Sequence, residues 1–290
     1  MKNTFSLIIA AIFTSLFSQC KVFDNEVIVP SYVYIPGYKF ETALDGSQGD
    51  STSKIVDAWV YENGSVVGSF GLPALIPIQK KGPIEIGVDA GILKTGQDYE
   101  RMPNPLLTRS YFTIDAQPEK IDTIVPVFKY VPRAKFKFIE DFDRVGLRFT
   151  KFFTMPGDTI IYINSGDSAR TQGKNSGMIL LTDSTDYFRL ITTDAYILTG
   201  LDLPSVLELD YNSDVILYIG MFANLATGVK QIPLFNAFPT NGWNKVYINL
   251  TDEVAANPMN TEYKIYIDVY KSKGSPQPRI IIDNVKLIEG

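Results

Sequence analysis

The sequence predicts an all-β chain built as two β-sandwich domains. Three observations predict it. Apolar or alternating runs are broken by Gly, Pro, Asn and Asp roughly every 8–12 residues, the spacing of short antiparallel strands. No stretch holds the 3.6-residue apolar period of an amphipathic helix over three turns. The 290-residue chain is 45% apolar and 12% aromatic, enough to fill two cores, and its single cysteine offers no disulfide within the chain.

The elements follow in order. Tyr32, Tyr34 and the run Tyr38–Phe40 alternate as an N-terminal strand pair split at Pro36-Gly37. Ile55–Tyr61 and Val66–Phe70 read as strands joined through Asn63-Gly64, a dipeptide that accepts φ > 0 and so favours a tight hairpin. Pro73 and Pro77 mark an edge, because proline cannot donate to a neighbouring strand. Ile84–Val88 and Ile121–Val127 alternate, and Pro126 and Pro132 flank a connecting strand. A new pattern opens at Lys135-Phe136-Lys137-Phe138, with Lys and Phe on opposite strand faces. The domain boundary is therefore placed between residues 133 and 134, with a first β-module over 31–133 and a second sandwich over 134–290. In the second, Leu207–Tyr211, Gly242–Leu250 and Arg279–Leu287 read as strands, and Asp252–Asn260 has room for one short helical turn.

Composition narrows the chemistry. The chain has no histidine, which removes Ser-His-Asp and Cys-His catalysis and the usual zinc, haem and non-haem iron ligand sets. Net charge is −5. Lys2 is the only charge in residues 1–19, so the remainder carries 26 bases against 32 acids, a net −6 that argues against a nucleic-acid partner.

The N-terminus reads as an export signal. Lys2 precedes an apolar stretch from Phe5 to Phe17, too short to span a bilayer and the right length for a signal peptide over residues 1–19. Leu16-Phe17-Ser18-Gln19-Cys20 resembles the lipobox of bacterial lipoproteins, which implies cleavage before Cys20 and acylation of its thiol. Residues 20–30 are then a lipidated tether, and the membrane is reached through lipid alone. Lys21-Val22-Phe23-Asp24-Asn25-Glu26 resembles the lysine-plus-acid signal that sends Bacteroidota lipoproteins to the cell surface, which implies an outer-membrane, surface-exposed location.

The first domain resembles PEGA or transthyretin-like modules over Asp57–Ala90, with its Asn-Gly turn and Pro-rich edge. The second resembles galactose-binding-like jelly rolls, opening at Phe138-Ile139-Glu140-Asp141-Phe142-Asp143 and closing at Arg279–Leu287. That resemblance implies first and last strands side by side and a structural Ca²⁺ held by Glu140, Asp141, Asp143 and Asp283; oxygen ligands suit calcium, and no organic cofactor is implied. The alternative is that these acids face solvent or cap loops. Glu208 and Asp210 share one strand face and resemble the catalytic strand of jelly-roll glycosidases, but Ser213 stands where the second glutamate would be, so a structural role is expected. Trp243 is either a sugar-stacking platform or a sandwich core or edge residue. Lys129, Arg133, Lys135 and Lys137 read as a solvated face paired with acids. Ser51, Ser168 and Ser184 sit in Asp-Ser-(Thr/Ala) triplets within polar stretches and are candidate O-glycosylation sites.

Taken whole, the layout resembles a family of Bacteroidota cell-surface lipoproteins. A non-catalytic binding protein is expected. The first reading is an accessory subunit of an outer-membrane complex, in outer-membrane protein assembly or nutrient uptake, contacting a β-barrel or another surface lipoprotein. The second is a glycan-binding surface lipoprotein, and the third a glycoside hydrolase. An aromatic row on one sheet face would favour glycan; an apolar patch crossing both domains would favour a protein partner.

Overall fold

The computed structural model describes residues 29–94, 100–152, 161–164, 174–181, 186–200, 203–272, 274 and 276–290. Cys20, Ser168 and Ser184 lie outside them.

The chain is all-β. The first domain contains β1 (Ser31–Ile35), β2 (Lys39–Glu41), β3 (Asp57–Glu62), β4 (Ser65–Gly71), β5 (Ala74–Ile78), β6 (Gly82–Leu93), β7 (Arg101–Pro103), β8 (Ser110–Ala116), β9 (Ile121–Thr123) and β10 (Val127–Lys129). The larger sheet runs β4-β3-β6, with β7 and β8 both pairing β6; the smaller runs β5-β1-β9, and β2 pairs β10 in parallel. Val33, Ile35, Ile76 and Ile78 of the small sheet share one core with Val60, Ile86 and Val88 of the large one. Asn63 and Gly64 both hold positive φ, 45° and 80°, at the expected hairpin turn. Pro77 sits in edge strand β5, opposite Tyr32. One expectation fails: β1 and β2 do not pair with each other. β1 lies between β5 and β9, while β2 joins β10, so the Pro36-Gly37 break sends the chain to a different sheet.

The second domain contains β11 (Lys135–Glu140), β12 (Phe149–Lys151), β13 (Ile161–Asn164), β14 (Ser176–Ile179), β15 (Tyr187–Thr192), β16 (Tyr196–Leu198), β17 (Ser205–Ser213), β18 (Leu217–Leu225), β19 (Gly228–Ala237), β20 (Asn244–Asn249), β21 (Thr261–Tyr270) and β22 (Ile280–Glu289). One short helix, α1 (Thr251–Ala255), falls where a turn was expected. Two six-stranded sheets face each other as a jelly-roll sandwich. One runs β13-β14-β22-β17-β20 with β11 on β22; the other runs β12-β15-β21-β18-β19 with β16 on β21. First and last strands pair antiparallel. A bulge between Phe136 and Phe138 breaks the simple Lys/Phe alternation in β11. It sends the two rings to different cores: Phe138 enters the jelly-roll core, and Phe136 packs on the first domain's core.

The central strands β17 and β22 of the first jelly-roll sheet are buried on both sides. All nine residues of β17 are buried. Leu207, Leu209 and Tyr211 point into the jelly-roll core, while Val206, with Tyr247 and Ile288, belongs to the first domain's core. The two domains thus share apolar burial, and the open face of the sandwich is the outer face of the second sheet.

Candidate functional site

That outer face carries a row of aromatic side chains, put there by strand register. Residues two apart on a strand share a face. In β21, Tyr263, Ile265, Ile267 and Val269 fill the core, so Lys264, Tyr266, Asp268 and Tyr270 turn outward. Pairing then aligns Tyr187 with Tyr270, Arg189 with Asp268 and Tyr218, Ile191 with Tyr266 and Gly220, and Lys264 with Phe222 and Gln231. Phe152, just past β12, completes the row beside Phe222; their rings are stacked, with centroids 5.6 Å apart and planes 17° apart. Phe222 and Tyr266 lie 4.9 Å apart, and Tyr187 and Tyr270 also 4.9 Å.

Gly220 makes this arrangement possible. A Cβ there would lie 2.2 Å from the Tyr266 ring, so only glycine lets the tyrosine lie across its neighbour strand. Gly220→Ala is expected to displace Tyr266 and cost about 1–3 kcal/mol, read by urea unfolding; an unchanged midpoint would contradict the close packing. Gln231 donates to the Tyr266 hydroxyl at 3.0 Å and fixes its far end.

Arg189 anchors the centre. It donates two hydrogen bonds of 2.6 Å to the Asp268 carboxylate, and its guanidinium lies 4.6 Å from the Tyr266 centroid and 5.2 Å from that of Phe222. The Asp268 hydrogen bond holds Arg189 above its ordinary range. This fork locks the rings rather than offering a free cation. Lys264 is also engaged, donating to the Thr193 carbonyl at 2.7 Å. Beside the rings is a pit of about 270 Å³ lined by Phe152, Ile191, Phe222 and Val229, with Asn224 and Glu262 at its polar edge. Tyr266 is itself buried, at 3% exposure, so the rings the face offers are Phe152, Phe222 and Tyr270, with the apolar pit and the exposed Asn224 and Glu262 beside the first two.

A second feature lies between the domains. Lys245 is buried, 3.4 Å from Glu208 and 3.7 Å from Asp210, both buried too. Lys286 is fully buried beside them and donates to the Asp50 carbonyl at 2.6 Å. The first domain supplies further bonds: Tyr130 donates to Glu208 at 3.0 Å, Thr52 to Asp210 at 2.5 Å, and the Lys54 amide to the Tyr247 hydroxyl at 3.1 Å. Burial disfavours charge on Lys245, but Asp210 and Glu208 outweigh it and lift its pKa. Burial and the Lys245 charge push Lys286 the other way, from 10.5 to about 8, against the pull of Glu208, Asp210 and Asp50.

A pH dependence follows. As pH falls, the unfolded chain protonates Lys286 before the folded one does. Stability should therefore rise as pH climbs from about 8 to about 10, by about 1–2 kcal/mol. Above about 10 the gain reverses, because burial holds Tyr130 and Tyr247 protonated in the fold while unfolded tyrosines ionise. Lys286→Met should flatten the rise between pH 8 and 10 in denaturant unfolding; a wild-type curve already flat there would contradict the assignment.

Over this cluster opens a cleft of about 670 Å³, lined by Ser51, Thr52, Ser53 and Lys54 of the first domain and Asp210, Trp243, Asn244 and Lys245 of the second. Trp243 is half-buried there, neither core nor part of the aromatic row. Ser51 is half-buried on the same cleft, not on an open loop tip.

The calcium quartet does not assemble. Among the described residues, no group of three or more His, Cys, Asp or Glu stands together to hold a metal ion. Glu140 is spent on the backbone amides of Phe142 and Arg148, at 2.9 and 2.6 Å. Asp141 pairs with Arg144, Asp143 accepts from the Lys174 amide and Asn175, and Asp283 accepts from the Asn284 amide. Glu208 and Asp210 form the buried lysine cluster, and Ser213 is buried with its hydroxyl on the Val215 carbonyl. Lys129 pairs with Glu41 on a solvated strand face, whereas Lys137 departs from that expectation and reaches Glu289, which is buried. The sequence did carry a signal for the aromatic row, since the outward phase of β21 reads Lys-Tyr-Asp-Tyr.

No family model and no curated relative matches the chain. Solved structures with partial likeness include the enzymatically active domain of tailspike protein 4 of bacteriophage CBA120, at 13% identity and TM-score 0.40, covering 51% of this chain and 20% of that one. A family 11 carbohydrate-binding module of a Clostridium thermocellum cellulosomal cellulase gives 18% identity and TM-score 0.36, covering 53% and 94%. The CBM22-1 xylan-binding domain of Paenibacillus barcinonensis Xyn10C gives 9% and 0.38, covering 54% and 95%. Likeness at this level does not identify what this chain binds.

Proposed function

We propose that this protein is a glycan-binding surface lipoprotein whose binding face is the outer surface of the second jelly-roll sheet. The carrying observation is the stacked pair Phe152 and Phe222, backed by the buried Tyr266 and set beside an apolar pit with Asn224 and Glu262 at its edge. A pyranose ring has an apolar C–H face and a rim of hydroxyls. The aromatic face carries negative quadrupole density and attracts those C–H groups, while amide and carboxylate groups at the rim take up the hydroxyls. Because Arg189 and Lys264 are already engaged, the preferred ligand is a neutral glycan rather than a uronic or sulfated one.

Affinity gel electrophoresis against a panel of neutral polysaccharides (xylan, mixed-linkage glucan, glucomannan, galactan) tests the reading. Retardation by at least one, absent with polygalacturonate, is expected. Uniform migration across the panel would refute it.

The anchor belongs to the same proposal. Cys20→Ala is expected to move the protein from the membrane fraction into the soluble fraction, since two or more acyl chains give stable attachment and none gives none. Unchanged partition into detergent would refute lipidation at Cys20.

A second reading, as an accessory subunit contacting an outer-membrane protein, is favoured by a different surface. Tyr34, Leu75 and Ile121 are exposed on one face of the small sheet β5-β1-β9, at 37%, 54% and 56%. That patch is confined to the first domain, whereas the expectation for a protein partner was a patch crossing both. The glycan reading therefore stands first.

A further inference from the structure

We infer that the cleft between the two domains is a second saccharide site, independent of the aromatic row and built around Trp243. It deepens the glycan reading with a separate contact, but it rests on different residues.

Three observations carry the inference. The cleft, about 670 Å³, is large enough for a sugar ring with its neighbours. Its wall includes Trp243, an aromatic of the size that packs on a pyranose face. The floor holds Asp210 and Lys245, with side chains only 4% and 3% exposed, fixed in place by the buried cluster behind them.

The charges select the chemistry. Lys245 is surrounded by Thr52, Glu208 and Asp210, at 3.2, 3.4 and 3.7 Å. Lys54 donates to the Asn244 side chain at 2.6 Å. Both cations on the cleft are thus already partnered. A neutral, hydroxyl-bearing ligand fits this better than an anion. The cleft exists only where the first domain's residues 51–54 cross the second, so the site is a property of the two domains together.

The test uses the emission of Trp243. The chain has two tryptophans, so Trp59→Phe leaves Trp243 as the only indole. Titration with xylotetraose, cellotetraose, mannotetraose and galactotetraose should give a saturable change in emission with at least one of them. The same change should persist in Phe222→Ala, which disables the aromatic row. Should Trp59→Phe not fold, the difference between wild-type and Trp243→Phe emission reads the same event. No saturable response to any of the four at about 10 mM, a dissociation constant too weak for a built site, overturns the inference. A response lost in Phe222→Ala also overturns it, by assigning the signal to the aromatic row. A response to tetragalacturonate alone overturns the neutral-ligand assignment.

Discussion

Lys245→Met is expected to destabilise the protein by about 3–5 kcal/mol, the cost of breaking a buried ion pair by removing one partner. Lys245 stands between Glu208 and Asp210 at 3.4 and 3.7 Å, and all three side chains are buried. Methionine fills much of the space but leaves two carboxylates in the interior with Tyr130 and Thr52 as their hydrogen-bond donors. The same loss loosens the domain contact, because those two donors belong to the first domain. Removing charge on both sides should recover part of the stability, so Lys245→Met/Glu208→Gln is expected to lie above Lys245→Met in a urea series. A single mutant within about 1 kcal/mol of wild type would show that the cluster contributes little.

Phe222→Ala should cost at least about 2 kcal/mol of glycan affinity, a loss of roughly thirtyfold, as expected when an aromatic at the centre of a contact is truncated. Phe222 touches both Phe152 and Tyr266, so its removal divides the row into two separated rings. Its side chain lies on the outer face and is not part of the jelly-roll core, so stability should change far less than binding. Tyr218→Ala, toward the other end of the row, should cost less affinity. Equal affinities for wild type and Phe222→Ala would move the ligand elsewhere.

Much of the fold was legible in residues. The Asn63-Gly64 hairpin, the proline edge at Pro77 and the short turn at Thr251–Ala255 each follow from local backbone chemistry, which acts over a few residues. Long-range pairing was less legible. Tyr32 and Phe40 lie eight residues apart, yet their strands join different sheets, because partners such as Pro77 and Phe128 lie far along the chain. The bulge at Phe136/Phe138 was hidden for a similar reason: alternation assumes an unbroken ladder.

The site was less legible than the fold. A calcium quartet was expected from the resemblance of the domain's two ends, but backbone amides and neighbouring side chains claim those carboxylates. Glu208 and Asp210 were correctly placed on one face, but Lys245, which pairs with both, and Lys286, buried beside them, arrive from β20 and β22, about 35 and 75 residues on. Trp243 drew attention because tryptophan is rare. Phe222 and Tyr266 did not, because in β18 and β21 aromatics occupy an outward phase beside an inward phase that is equally apolar.

The central claim is that glycan lies across the outer face of the second jelly-roll sheet. Backbone amide NMR of the labelled protein, titrated with the oligosaccharide of whichever polysaccharide retards it, tests this most directly. The account predicts that the main shifts fall on β15, β18 and β21 around Arg189, Phe222 and Tyr266, with a separate set near Trp243 if the cleft also fills. Shifts confined to the small sheet around Tyr34, Leu75 and Ile121, with the aromatic row unmoved at saturation, would contradict it.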